Sequence, residues 1–168
     1  VANILLDPPK EVFQPKDSYK CWAAALVSWL YAEPKTGGAS WVKSVDDAIK
    51  LFAPHSGALG GLDIPREFDF MAQMVGMDYL VFPRHKMSLI TGTLIHSKLR
   101  KGHVYIVVSG GTVTSSVTLA HAAVIWAMAH WDSANPSLAV MDPLYGWVSG
   151  RPLSYYRSAA NAIVGWPY

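Results

Sequence analysis

Charge is scarce in this chain of 168 residues. Asp, Glu, Lys and Arg make up 15% of it, against about 25% in a typical soluble domain. Hydrophobic residues reach 51%, which supplies a packed core and excludes general disorder. The 14 basic and 12 acidic side chains leave a net charge of +2, too little to nominate nucleic acid or an anionic membrane as partner. A single cysteine excludes an internal disulfide and a cysteine-built zinc site, which leaves a buried inert thiol or a nucleophile. Long apolar runs are missing too. The longest, Cys21 to Ala32, falls well short of the roughly 18 residues of a membrane span. The opening Val1-Ala2-Asn3-Ile4-Leu5-Leu6-Asp7 has neither a basic stretch nor an initiator Met, so a mature or excised domain is expected rather than a signal peptide. The length predicts one domain over 1–168, and there is no internal repeat or low-complexity segment.

Helical signals fill the first half. Trp22, Ala25, Leu26 and Trp29 recur at intervals of three and four, predicting a helix with one apolar face, capped by Asp17 or Ser18 and stopped by Pro34. Ser44, with Asp47 three residues on, predicts a start for a helix over Val45–Phe52, and Asp63 does the same for Pro65–Val75, closed by Gly76. Beyond Gly76, β-branched and aromatic runs predict strands at Tyr79–Phe82, Val104–Val108, Ala122–Met128 and Leu138–Met141, with a helix near Ser88–Leu99. From Gly102 onward the only charged residues are Asp132, Asp142, Arg151 and Arg157, as expected of a sheet buried on both faces or covered by a partner. The fold class is therefore α+β: a helical lobe over about 1–76 followed by an antiparallel sheet lobe over about 77–168.

Cys21 falls in the first turn of its predicted helix, where the dipole and free N–H groups favour a thiolate. The surrounding Gln14-Pro15-Lys16-Asp17-Ser18-Tyr19-Lys20-Cys21-Trp22-Ala23-Ala24-Ala25 resembles the nucleophile segment of papain-like cysteine proteases, in which a Gln precedes a Cys-Trp-Ala helix opening. The resemblance is nearest to divergent bacterial effector and bacteriocin-processing peptidases, since Tyr19-Lys20 stands where papain has Gly-Ser. It implies that Cys21 is the nucleophile. It also implies that the Gln14 amide and the Cys21 backbone N–H form an oxyanion hole, with Gln14 set one or so residues further from Cys21 than in the family.

The family order then requires a His opening a later strand and an Asp or Asn ending the next. Of six histidines, His55, His85 and His96 fall in predicted turns or helices. His130 has only Asp132 nearby. His103 opens Val104–Val108, but no Asp or Asn ends the strand that follows. His121 opens Ala122–Met128, and the returning strand ends in Asp142-Pro143. His121 and Asp142 are thus the expected partners of Cys21, with His103 the second candidate. Asp142 would orient the imidazole, and Trp147 would shield their bond from water.

The resemblance implies a cysteine peptidase acting on protein or peptide substrates without a cofactor or metal. Deamidation and acyl transfer use the same machinery, and a non-catalytic binding module built on the seven tryptophans is the alternative from another class. By analogy with relatives of this kind, the expected context is a bacterial toxin or effector delivered to a target-cell cytoplasm and restrained by an immunity protein.

Overall fold

The structure, a computed structural model, describes residues 3–16, 20–36, 38, 41–52, 66–110 and 121–168. Strand β1 (Ile4–Leu5) comes first, followed by helices α1 (Cys21–Ala32), α2 (Val45–Phe52) and α3 (Arg66–Val75). The rest is β2 (Met77–Phe82), α4 (Gly92–Leu99), β3 (Val104–Ser109), β4 (His121–Ala129), β5 (Ser137–Asp142), β6 (Gly146–Pro152), α5 (Ser154–Arg157) and β7 (Asn161–Pro167). The strands form one antiparallel sheet in the order β2-β7-β3-β4-β5-β6, and β1 adds to β4. The architecture is α+β, as the sequence predicts.

Alternation along the strands divides the core in two. Tyr105, Val107, Ala122, Val124, Met141 and Ile163 point to the face covered by α1, α2 and α3. Val104, Ile106, Ala123, Ile125, Leu138 and Val140 point to the other, covered by α4 and the 3₁₀ turn at Arg84–Leu89. Both faces are dry, which explains the near absence of charge in these strands.

Four expectations need correction. Helix α1 is apolar all round rather than on one face: every residue from Cys21 to Leu30 is buried, because the helix lies between the sheet and α2/α3. The run Ala23-Ala24-Ala25, wholly inaccessible, keeps that central helix slim. Lys20 is its N-cap and makes no side-chain cap bond; Asp17 and Ser18 lie outside the described residues, as do Asp63 and Pro65. The helix expected over Ser88–Leu99 is split into the 3₁₀ turn and α4, with Thr91 accepting a cap bond from the Leu94 N–H at 3.2 Å. Finally, β1, β6 and β7 escaped prediction, and β1 places part of the N-terminal region in the sheet.

Residues 6–14 form a strap that ties the helical layer to the sheet. The Leu6 N–H donates to the Trp126 carbonyl at 2.9 Å. Ser28 of α1 donates its hydroxyl to the Lys10 carbonyl at 2.7 Å, and Trp147 of β6 donates its indole N–H to the Pro9 carbonyl at 2.7 Å.

Two β-bulges flank β5. Ile125 pairs with Val140 but Ala127 pairs with Ala139, so Trp126 is an extra residue in β4. Leu138 pairs with Arg151 but Val140 pairs with Val148, so β6 also carries an extra residue, near Gly150. Gly150 has φ +75°, with Ser137 Oγ at 4.0 Å the nearest atom to the site of a Cβ, the backbone state that a Gly-type bulge requires. Gly150→Ala should therefore cost about 1–2 kcal/mol through backbone strain alone. Urea denaturation of the two proteins measures this, and an unchanged midpoint would exclude the bulge.

Candidate active site

Cys21, His121 and Asp142 lie at the first residue of α1, the first residue of β4 and the last residue of β5. The Trp126 bulge brings the last two together. Continuing the register of Val124 with Met141 sets Asp142 opposite Ala123, on the same face as His121 and two residues away, the diagonal that polar side chains can bridge. Had the register of Ala127 with Ala139 continued, Asp142 would sit opposite Val124 and point to the other face.

The His121 Nε2–H donates to Asp142 Oδ2 at 2.9 Å. Nδ1 is left for Cys21, whose thiol is hydrogen-bonded to the ring. Asp142 is fully buried, while 20% of the His121 side chain is exposed. Arg151 donates from Nη1 to the same Asp142 Oδ2 at 2.6 Å, and the Leu144 N–H donates to Oδ1 at 2.9 Å. The carboxylate thus accepts three bonds, two from cationic groups.

Electrostatics follow from this geometry. Burial pushes His121 down, but the hydrogen bonds and charges of Asp142 and Cys21 prevail and raise it from 6.5 to about 9. Burial pushes Asp142 up, and His121, Arg151 and the Leu144 N–H together bring it from 3.8 down to about 2. At neutral pH the pair is imidazolium and carboxylate.

The Gln14 N–H donates to the Pro143 carbonyl at 3.0 Å, which fixes the end of the strap beside the Asp142 turn. The Gln14 side-chain oxygen is buried. Both ring nitrogens of His103, the second candidate, are engaged away from Cys21. Its Nε2 donates to the Asp7 carbonyl at 2.7 Å and Nδ1 meets Glu33 Oε1 at 2.8 Å. The same carboxylate oxygen accepts the His103 backbone N–H at 2.7 Å. Trp147 departs from its expected role: it is 52% exposed and its indole holds the strap. His85 and His130 are exposed, His96 stacks on Trp131 with ring centroids 4.8 Å apart, and His55 lies outside the described residues. Among the described residues no group of three or more His, Cys, Asp and Glu could hold a metal ion.

Arg151 was missed by sequence reasoning. The signal was available: in the chain from Gly102 to the end, it is one of two cations facing two carboxylates, and an arginine within a strand of an apolar sheet needs a buried anion.

No protein-family profile matches the chain, and no curated protein does. Solved structures do match. One is a double glycine motif protease from an AMS/PCAT transporter, determined in complex with the leader peptide. It is similar over 100% of both chains, with a TM-score of 0.54 and 14% sequence identity. The fold is papain-like. At that identity the likeness speaks for architecture: an α+β arrangement in which a helix layer packs on an antiparallel sheet across the full chain.

The two shifts set a pH window for stability. His121 is raised on folding, so its contribution is complete below 6.5 and is lost as pH rises through about 9. Asp142 is lowered, so its contribution is present above 3.8 and is lost as pH falls through about 2. Denaturation midpoints measured from pH 3 to 10 should be highest between these limits, and His121→Ala should abolish the decline between 6.5 and 9.

Proposed function

We propose that the chain is a cysteine peptidase that cleaves peptide or protein substrates with Cys21, His121 and Asp142, assisted by Gln14. The observation that carries this reading is the hydrogen-bonded series from the thiol on α1 through His121 to the buried Asp142 carboxylate. A papain-like fold adds support. A structural histidine needs no such series; a general acid that must keep its Nε2 proton while working from Nδ1 does.

In the proposed reaction the Cys21 thiolate adds to the substrate carbonyl carbon, and the C=O electron pair moves to oxygen. The Cys21 N–H and the Gln14 amide donate to that oxyanion. The C–N bond breaks as His121 Nδ1 gives its proton to the departing amine, leaving a thioester and a neutral imidazole. Water then attacks the thioester and loses a proton to Nδ1. The C–S bond breaks, which releases the acid and regenerates the thiolate and imidazolium.

Cys21 is 4% exposed. The similar protease is described as acting on a double glycine motif, and Gly-Gly is the first sequence to test.

Cys21→Ala should abolish cleavage, and His121→Ala should lower turnover by about a thousandfold or more, with Asp142→Ala somewhat less damaging. Gln14→Ala should cost about a hundredfold with the fold intact. His103→Ala should instead lose about 2–4 kcal/mol of stability and retain most turnover per folded molecule. Comparing wild type with Cys21→Ala on cell lysate by terminal-peptide proteomics reads out the new termini. Their absence would remove the peptidase reading, and a gain of Glu at former Gln positions would point to deamidation.

The proposed context is a toxin or effector working in a target-cell cytoplasm under a cognate immunity protein, by analogy with relatives of this kind. Expression in a bacterial cytoplasm should then arrest growth for wild type, leave Cys21→Ala harmless, and be rescued by a neighbouring gene product. Equal tolerance of both forms would remove this context.

A further inference from the structure

Asp142 is shared. Its Oδ2 accepts from His121 at 2.9 Å and from Arg151 at 2.6 Å, and the arginine has the shorter bond. Arg151 is 8% exposed and held from three sides. It donates to Asp142, donates to the Tyr156 hydroxyl at 3.2 Å, and lies over the Tyr155 ring at 4.3 Å from its centroid. The bulge near Gly150 places it there, since Arg151 pairs with Leu138 and so shares the face of Val140 and Asp142. Without the extra residue it would pair with Ser137 and point to the opposite face.

We propose that Arg151 is a positioning residue for the peptidase reaction: it clamps the Asp142 carboxylate so that Oδ2 keeps facing His121 Nε2 while Nδ1 gives up and regains its proton. The inference rests on the peptidase reading. A buried carboxylate with His121 as its sole cationic partner would lose that partner's charge each time the ring turns neutral, and would then be held by neutral donors alone. Arg151 remains charged throughout the cycle. Asp142 therefore keeps a cationic partner throughout, and its Oδ2 stays turned toward Nε2. The charged and titratable groups facing this carboxylate are His121 from β4, Arg151 from β6 and Tyr156 from α5, with Cys21 of α1 on the far side of the imidazole.

A permanent cation beside this pair has a definite sign. Its removal makes the Asp142 anion and the His121 cation, respectively, harder and easier to form, so both titrations move to higher pH. The test is Arg151→Met and Arg151→Lys in the full chain, read by NMR titration of the His121 ring and by the pH profile of Cys21 alkylation with iodoacetamide, neither of which needs a substrate. Arg151→Met should raise the His121 titration by about one pH unit, and Arg151→Lys should restore most of it. With a cleaved peptide in hand, Arg151→Met should lower kcat at least about tenfold with KM little changed.

A purely structural role would lower stability in both variants and leave the His121 titration of the folded protein where it is, which would overturn the proposal. If Arg151→Met does not fold, Arg151→Lys combined with Tyr156→Phe keeps the charge but loosens the clamp. In that variant kcat should fall while the titration stays near wild type, and an unchanged kcat would overturn the proposal. Failure of the peptidase reading has its own signature: an alkylation profile identical in wild type and His121→Ala.

Discussion

A fully buried carboxylate organises this molecule. Asp142 has no access to water, and an ionised group in that position is tolerated only when charge and hydrogen bonds replace its hydration. His121, Arg151 and the Leu144 N–H provide the replacement. Each donor comes from a different stretch of chain, so the sheet register, the β5–β6 turn and the packing of α5 must all be correct before the carboxylate is satisfied. The same condition delivers an imidazolium to the Cys21 thiol. The packing of this region and the charge on His121 thus depend on one group.

The strap from Leu6 to Gln14 solves a second problem. Helix α1 is buried on every side, and few polar groups are available to fix its position along the sheet. Two bonds tie it to the β3 region directly, Trp29 Nε1–H to the His103 carbonyl and the Tyr105 hydroxyl to the Trp22 carbonyl, and the strap adds carbonyls: Lys10 to Ser28 of α1, Asp7 to His103 and Pro9 to Trp147. Each strap acceptor belongs to a segment without regular structure, where backbone groups are free to serve side chains. The strap ends at Gln14, tied to Pro143 beside the Asp142 turn.

Much of the candidate site was legible because its residue types are rare here. With one cysteine, and with Asp142 alone closing an apolar run beyond Gly102, the candidates were few before any geometry was known. Ranking His121 above His103 relied on strand order, and the structure brings His121 to Asp142 and Cys21 while engaging both ring nitrogens of His103 elsewhere. Arg151 was overlooked because β6 itself was: Ser149-Gly150 interrupts the alternation by which a strand is recognised. Helix α4 was drawn too long because the Thr91 cap starts it only after the 3₁₀ turn.

The sequence by itself determined the α+β class, the helix that starts at Cys21, the strands around His121 and Asp142, and the poverty of charge that keeps the sheet dry. These follow from local pattern, because alternation, caps and residue scarcity are properties of neighbours in the chain. Tertiary structure alone decided which face each side chain occupies. A strand's side chains change face with every one-residue slip, and the two extra residues that set the slip, Trp126 in β4 and one near Gly150 in β6, act only through their pairing with β5. Those two bulges put His121, Asp142 and Arg151 on one side of the sheet, a consequence of cross-strand hydrogen bonding that no local pattern encodes.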